Sequence, residues 1–248
     1  ENGKGIPKPP DVRELMRIYG VASGTERDML LRLAREGREQ GWWETYTEGV
    51  QSERFVMDSP GRYPAMETEA THVRAVSMTV AHGLVQGAGY AREVFRALLP
   101  HHTDAEIASL VDLRLERQQR LRAAQEPLAL SFVVDEALLM RRVGGPSTMV
   151  EQIDHMLELN ELPTVEIRVL GLEIGFHRAM AGQFTVLELR DPLDDVVYVE
   201  GHAGDTFMDA KSDVKLYREI HADVWERCRG GRDAVETMRR YRLAHSEQ

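Results

Sequence analysis

Cysteine is nearly absent from this sequence, because Cys228 is the only one in 248 residues. A single thiol cannot form an intramolecular disulfide, and it has no second thiolate with which to build a cysteine metal site. We therefore predict that Cys228 is a small, buried, hydrophobic side chain and that cysteine chemistry plays no part in the function.

Long hydrophobic runs are missing as well. No apolar stretch approaches the roughly 18 to 20 residues that a membrane-spanning helix needs. No charged start followed by an apolar segment resembles a signal peptide. We expect a protein that works in the cytoplasm and has no membrane partner.

Positive charge is in deficit. Lys and Arg number 31 against 41 Asp and Glu, which gives a net charge of −10 at neutral pH. Such a surface repels a phosphate backbone over most of its area. We predict that these residues do not bind nucleic acid by themselves.

The motifs of common nucleotide-using and hydrolytic enzymes are also absent. The sequence contains no GxxxxGK loop, no GxGxxG opening a helix, no HExxH and no GxSxG. His101 and His102, with Asp104 nearby, are the only suggestion of a metal, but adjacent histidines before a helix usually face solvent. We expect no metal and no cofactor, and the sequence favours a function other than catalysis.

What the sequence does contain is a clear order of helical and strand-like patterns. Short β-branched runs bounded by Gly, Pro or Asp predict strands at 72–78, 128–134, 165–170, 183–189 and 196–200. Helical spacing of apolar residues predicts helices at 11–20, 25–43, 89–99, 103–124, 148–162, 209–229 and 232–244. We predict an α+β fold in which about four or five strands form one small sheet packed with helices.

The first two predicted helices differ from the rest. Asp11 with Glu14 has the spacing of a capping box, and Gly20 marks the end of that helix. A helix this short is not stable alone, so its apolar stripe needs a partner. We interpret it, together with the helix at 25–43, as the end of a small helical bundle and its linker helix.

Polar side chains interrupt the apolar stripe of the long helix at 103–124. Arg114 and Gln118 continue the face of Ile107 and Leu110. A buried guanidinium without a partner costs several kcal/mol, so we expect carboxylates from the sheet beside it. The candidates follow predicted strands; they are Asp135, Glu136, Glu200 and Asp205.

Three interpretations of these polar residues stay open. They form a structural ion-pair and hydrogen-bond network, or they line a ligand pocket, or they are catalytic. His177, in the segment GFHRAMAGQF between two strands, is either at the mouth of such a pocket or an ordinary loop residue. The candidate set is therefore Arg114, Gln118, Glu136, His177, Glu200 and Asp205.

Five separated segments resemble the C-terminal domain known as domain of unknown function 5753. In order and spacing, they are LVQGAGYAREVFRA, RLERQQRL, SFVVDEALLMRRVGG, FHRAMAGQFTVLEL and VVYVEGHAGD. The resemblance covers about residues 60 to 235. It implies a relationship to actinobacterial, chiefly Streptomyces-type, regulators with an Xre-type helix-turn-helix at the amino end.

The resemblance extends to the start of the chain. ENGKGIPKPPDV and VRELMRIYGV resemble the segments that follow the recognition helix in such regulators. This implies a remnant of a helix-turn-helix domain at 1–22, a linker helix and irregular segment at 23–59, and an α+β sensor or partner-binding domain at 60–248. DNA contacts would belong to a helix-turn-helix before residue 1, in a homodimer, because DNA half-sites are usually paired.

Three functions follow as hypotheses. The first is a transcriptional regulator whose acidic domain senses a small ligand or a small protein partner. The second is an antitoxin-like protein that acts mainly through contacts with a small protein encoded nearby. The third is an enzyme that has recruited the regulator fold, with Glu136 and His177 at its site. The resemblance supplies no ligand and no catalytic residue.

Overall fold

A computed structural model describes residues 8–36, 41–48, 62–201 and 204–247. The chain divides into two compact units, Glu1–Thr45 and Tyr46–Gln248. The first unit is built on the helices α1 (Pro9–Ile18) and α2 (Gly24–Glu36), and α3 (Glu44–Thr47) follows. The predicted domain limits at 22 and 59 stay a prediction.

Helices α1 and α2 pack on each other through a small apolar cluster formed by Val12, Met16 and Ala34. The prediction of a capping box from Asp11 to Glu14 is wrong in its position, because the N-cap is Lys8 and the carboxylate that reaches back to it is that of Asp11. Pro9 already begins the helix, since proline suits a first turn whose N–H groups have no helical acceptor. Asp11 is the third residue of this first turn, and its carboxylate accepts the Lys8 backbone N–H at 3.1 Å.

The second predicted helix is correct at its start and wrong at its end. It begins at Gly24, one residue before the predicted Thr25. Residues 37–40 of the prediction lie outside the described residues. Residues 41–43 form a turn before α3 rather than the end of a helix.

The second unit has the predicted α+β composition, which is confirmed. Its strands are β1 (Ala70–Ser77), β2 (Ala129–Asp135), β3 (Val165–Leu170), β4 (Phe184–Leu189), β5 (Val196–Val199) and β6 (Thr206–Met208). Its helices are α4 (Arg62–Glu69), α5 (Ala88–Leu98), α6 (Asp104–Gln118), α7 (Glu136–Met140), α8 (Pro146–Leu159), α9 (Lys211–Arg227) and α10 (Gly231–Ser246). In the described ranges, every helix is too short or too polar to cross a bilayer.

All six strands form one mixed sheet in the order β3-β2-β1-β4-β5-β6. β1, β2 and β3 are parallel and are joined by helical crossovers, as parallel neighbours require. β4, β5 and β6 continue the sheet antiparallel on the other side of β1. The winding direction therefore changes beside β1, and the crevice beyond such a point is where open α/β sheets bind ligands.

The sheet has an apolar core on each face. The larger core includes Val73 of β1 and Phe132 of β2, and helices α8 and α10 contribute to it. The opposite face packs Val76 and Val133 against α9. Since side chains alternate along a strand, the residues beside Val76 at even positions of β1 share that second face.

Two helix ends illustrate how local sequence sets these elements. Thr103 Oγ1 accepts the Glu106 backbone N–H and Glu106 accepts the Thr103 N–H at 2.7 Å, which confirms the capping box predicted for α6. At the end of β2, Asp135 Oδ1 accepts the Ala137 N–H at 2.8 Å. This cap starts α7 directly after the strand, without a loop.

Candidate functional site

The turn that follows β1 is held by buried polar side chains. Gln86 donates from Nε2 to the Ala81 carbonyl at 2.6 Å, and its Oε1 accepts from Arg114 Nη1 at 2.6 Å. Gln118 Nε2 donates to the carbonyls of Gly83 and Gln86 at 2.9 and 2.8 Å. Arg114 and Gln118, one turn apart on α6, therefore fix the backbone of the turn at 83–86.

Helix α8 completes this network. His155 Nε2 lies 2.9 Å from Gln118 Oε1, and Gln152 bridges the Val85 carbonyl and the Gly87 N–H at 2.7 and 2.8 Å. Burial lowers the pKa of His155, so the imidazole is neutral and its Nε2–H donates to the amide oxygen. The turn after β1 is thus fixed by two helices at once.

Arg114 is buried with 1% of its surface exposed, and its guanidinium lies 4.2 Å from the centre of the Phe95 ring. The prediction that Asp135 or Glu136 neutralises it is wrong. Asp135 caps α7, and Glu136 accepts a hydrogen bond from Arg240 of α10. The side chain that receives the Arg114 Nη1 hydrogen bond is the amide of Gln86.

Glu136 is the centre of a separate cluster. Its Oε1 accepts from Arg240 Nη2 at 2.6 Å and from the Tyr241 hydroxyl at 2.8 Å. Its Oε2 accepts from the Leu172 N–H at 3.1 Å and from Arg229 Nη1 at 3.2 Å. Burial opposes ionisation, but these four donors outweigh it and lower the pKa of Glu136. The carboxylate is therefore an ionised anchor between α7 and α10.

His177 does not join Glu136. It is buried in the loop before the 3-10 turn Arg178–Ala181, and the charges that act on it are those of Asp135, Arg227 and Asp223. Burial lowers the pKa of His177, and the Asp135 carboxylate opposes this only in part. None of the four donors to Glu136 is His177, so the predicted catalytic pair is not formed.

An open cleft of about 650 Å³ lies beyond the carboxyl end of β1. Its apolar walls come from α5, from the residues after β1 and from the 3-10 turn before β4; they include Val80, Val94, Leu98, Val143, Met180 and Val199. Four polar side chains line it, those of Thr79, Glu93, Gln183 and Glu200. Gln183 Nε2 donates to Glu200 Oε2 at 2.9 Å, which fixes the amide at the rim.

The six candidate residues therefore occupy different places. Arg114 and Gln118 act together on the turn after β1, whereas Glu200 lines the cleft and Glu136 joins α7 to α10. Asp205 is half-buried and directly precedes β6. That any of the six binds a ligand stays a prediction.

The sequence reasoning missed Gln86 and Gln152. Gln152 had a detectable signal, because it lies on the inward side of α8 between Met149 and Ile153, where an apolar residue is expected. Gln86 had none, since its role depends on a turn whose shape is set by α6. The described residues contain no group of three or more His, Cys, Asp or Glu placed to hold a metal ion.

The lone thiol lies close to the second face of the sheet. Cys228 Sγ donates to the Val224 carbonyl at 3.0 Å, and burial raises the pKa of Cys228 to about 12. The thiol is therefore protonated at neutral pH and a poor nucleophile.

One comparison with known proteins gave a match. A family model described as a domain of unknown function, DUF5753, matches residues 61–240. No curated protein matches the chain, and no solved structure matches it. The matched range contains the whole sheet, the buried turn after β1 and the cleft.

Proposed function

The chain belongs to the family described as domain of unknown function DUF5753, and from that premise we propose that residues 62–247 form the ligand-binding body of a transcriptional regulator. The observation that carries the proposal is the cleft of about 650 Å³ at the switch point of the sheet. The resemblance to Xre-type regulators supplies the regulatory role.

The composition of the cleft supports a small-molecule ligand. Its volume lies within the roughly 300 to 1,000 Å³ typical of such sites, and those sites combine apolar walls with a few fixed polar groups. Here Thr79, Glu93, Gln183 and Glu200 are those groups. The ligand that suits them is largely apolar and carries at least one hydrogen-bond donor, since carboxylates only accept when ionised.

The buried network behind the cleft supports the same proposal. Val80 lines the cleft, and the chain continues from it into the turn that Arg114 and Gln118 hold. Because this part of the cleft wall is already held in place, it loses little conformational entropy when a ligand binds. The network is then a positioning device for the cleft rather than a part of its lining.

The proposal assigns DNA contacts to a helix-turn-helix ahead of residue 1, with α1 as a late helix of that domain. The acidic composition of the chain fits this division, because a net charge of −10 over 248 residues disfavours contact with phosphates. The active species is a homodimer that binds paired half-sites.

Ligand binding is tested with an uncharged apolar fluorophore, N-phenyl-1-naphthylamine. Ala97 faces the cleft from α5, so Ala97→Trp fills it. We expect saturable binding to the wild-type chain and at least about tenfold weaker binding to Ala97→Trp, equivalent to 1.4 kcal/mol. Ala105→Trp, on the exposed side of α6, is the matched control and keeps wild-type affinity. Equal affinities for all three proteins would reject the cleft as the site.

Regulation is tested with the full-length gene product and the DNA upstream of its gene. A mobility shift that weakens steeply as salt rises supports phosphate contacts by a helix-turn-helix. Failure to shift this DNA at low salt would reject the DNA-binding part of the proposal and leave the cleft result unaffected.

A second candidate, the antitoxin-like partner-binding protein, has one observation in its favour. Phe176 is 85% exposed in the loop after β3, and Leu172 in the same loop is 53% exposed. Large exposed apolar side chains within one loop are typical of protein contacts. Co-purification with a small protein encoded nearby, lost in Phe176→Ser, would support this candidate; a clean monomer would count against it.

A further inference from the structure

Three polar side chains stand in a row across the second face of the sheet. His72 lies on β1, Ser131 on β2 and Glu188 on β4. His72 Nε2 is 2.8 Å from Ser131 Oγ, and His72 Nδ1 is 3.3 Å from Glu188 Oε2. The row follows from the strand order, because β1 lies between β2 and β4 and His72 pairs in register with Glu188.

The order of these contacts is that of a nucleophile, a base and an acid. When Glu188 accepts the Nδ1–H of His72, the opposite nitrogen of the ring is unprotonated and accepts from the Ser131 hydroxyl. The same arrangement activates serine in hydrolases of unrelated folds, with Glu as one of the acids used. Such a triad is recognised by its geometry rather than by a sequence motif.

The acid of the row is held in its ionised form. Arg74 Nε and Arg218 Nη2 each donate to Glu188 Oε1 at 2.8 Å. Burial opposes ionisation, but the hydrogen bonds from His72 and Arg74 and the charge of Arg218 outweigh it and lower the pKa of Glu188 to about 2. The carboxylate is therefore negative at neutral pH and fixes the orientation of the imidazole.

A positive group and a cavity complete the arrangement. Arg74 pairs in register with Ser131, so both side chains lie on one face of neighbouring strands. Among the described residues, only Nε of Arg74 makes a side-chain hydrogen bond, which leaves its Nη groups able to donate to an oxyanion. A cavity of about 400 Å³ is lined by Arg74 and Glu188 of the sheet and by the Trp225 ring of α9.

We propose that Ser131, His72 and Glu188 form a nucleophilic site that hydrolyses small carboxylic esters through an acyl-Ser131 intermediate. This goes beyond the ligand-binding role of the cleft, and the two cavities share no lining residue. The Nη groups of Arg74 stabilise the oxyanion, and the cavity beside Trp225 holds the acyl chain.

The steps balance without a cofactor. Ser131 Oγ adds to the ester carbonyl carbon while its proton moves to His72 Nε2. The bond from that carbon to the alcohol oxygen breaks, and the alcohol leaves with the proton from Nε2. Water then gives a proton to Nε2 and adds as hydroxide to the acyl carbon. Ser131 Oγ leaves, takes the proton back, and the carboxylic acid is released.

The test uses a biotinylated fluorophosphonate, which phosphonylates an activated serine with loss of fluoride, on the 248-residue chain. We expect time-dependent labelling that peptide mass spectrometry assigns to Ser131 and that Ser131→Ala abolishes. His72→Gln removes the general base and slows labelling by at least about 100-fold. Ser147→Ala, an exposed serine at the start of α8, is the matched control and labels at the wild-type rate.

Every outcome decides the matter. No labelling of the folded wild-type chain, or labelling at a residue other than Ser131, overturns the proposal, and neither result needs a variant to fold. Hydrolysis of p-nitrophenyl acetate that disappears in step with labelling supports it. The fluorophore titration of the cleft is read separately from serine labelling, so failure here is distinguishable from failure of the ligand-binding proposal.

Discussion

Four hydrogen bonds converge on the Glu136 carboxylate, and they come from two guanidinium groups, a phenol and a backbone amide. Such saturation leaves the side chain no free acceptor position for a substrate. Its role is to join the end of β2 to the last helix. At the residue scale, this carboxylate is a stability feature rather than a chemical one.

Replacing Glu136 with Gln tests that role. The amide keeps the size but places its own NH2 donors against guanidinium donors, so we expect the free energy of unfolding to fall by about 2 kcal/mol. Urea denaturation at pH 7 measures it. The control is Glu173→Gln, which removes an exposed partner of Arg229 at 2.7 Å and should change stability by less than about 0.5 kcal/mol. Equal losses in both variants would contradict the assignment.

His221 makes folding sensitive to mild acid. Burial lowers the pKa of His221 from 6.5 to about 4, against an opposing hydrogen bond with the Ser131 carbonyl. Since the unfolded state binds the proton more tightly, stability is full above pH 6.5 and falls as the pH drops from 6.5 toward 4. Glu188 contributes in a lower window, because its pKa changes from 4.5 unfolded to about 2 folded.

The measurement is urea denaturation at pH 7 and at pH 5. The wild-type chain should lose about 1 to 2 kcal/mol more than His221→Gln between these two values, since only a neutral side chain remains in the variant. A variant that loses as much stability as the wild-type chain would show that His221 is not the group that titrates.

Single residues also mark where sequence reasoning succeeds and where it stops. Helical spacing alone placed Arg114 on the inward face of its helix, and the side chain is buried. That Gln86 accepts from Arg114 could not be predicted, because Gln86 lies in a turn whose direction is set by contacts with α6 and α8. The row of His72, Ser131 and Glu188 was equally hidden, because register between distant strands creates it.

At the scale of elements, α4 and α6 are joined by a buried ion pair. Arg117 donates from Nε and Nη2 to the two carboxylate oxygens of Glu67, each at 2.8 Å, and both side chains are 3% exposed. Such a pair brings little net stability but is damaging to break. When one partner is removed, the charge of the other stays buried where water does not reach it.

Glu67→Ala should therefore lower the free energy of unfolding by about 3 kcal/mol or more. Adding Arg117→Leu should recover part of that loss, because the stranded charge is removed, and urea denaturation of both variants measures this. Glu158→Ala, which breaks the exposed pair with Arg122 at 2.9 Å, should cost less than about 1 kcal/mol. A double variant less stable than the single one would contradict the argument.

The elements themselves were predictable to different degrees. The strand at 165–170 was predicted with its observed limits, since its β-branched run is bounded by a turn on each side. The three-residue β6 was missed because so short a segment shows no alternation. Helix α7 was missed because it starts directly after a strand, whose last residue Asp135 makes the cap.

At the scale of the whole molecule, the division at residue 45 makes the second unit a candidate for independent folding. We expect a chain of residues 46–248 to unfold in one cooperative transition, with a Tm within a few degrees of that of the 248-residue chain. Calorimetry of both chains tests this. A non-cooperative transition in the shorter chain would mean that residues 1–45 take part in its core.

The α+β class followed from the order of the patterns, and the mixed topology did not. Hydrophobic patterns give the sequence of elements but not which strands become neighbours. Here β1 pairs with β2 and also with β4, whose residue Glu188 lies 114 positions beyond Arg74. Pairing between strands so far apart in sequence is decided by the tertiary fold and not by local sequence.

The late pairing of β1 with β4 has a consequence during synthesis. The parallel half of the sheet, β1 to β3, can assemble before the ribosome has made β4, so β1 has one hydrogen-bonding edge uncovered until then. An uncovered apolar edge is a template for intermolecular pairing. The nascent chain is therefore most exposed to aggregation, and most in need of a chaperone, in the interval before translation reaches Leu189.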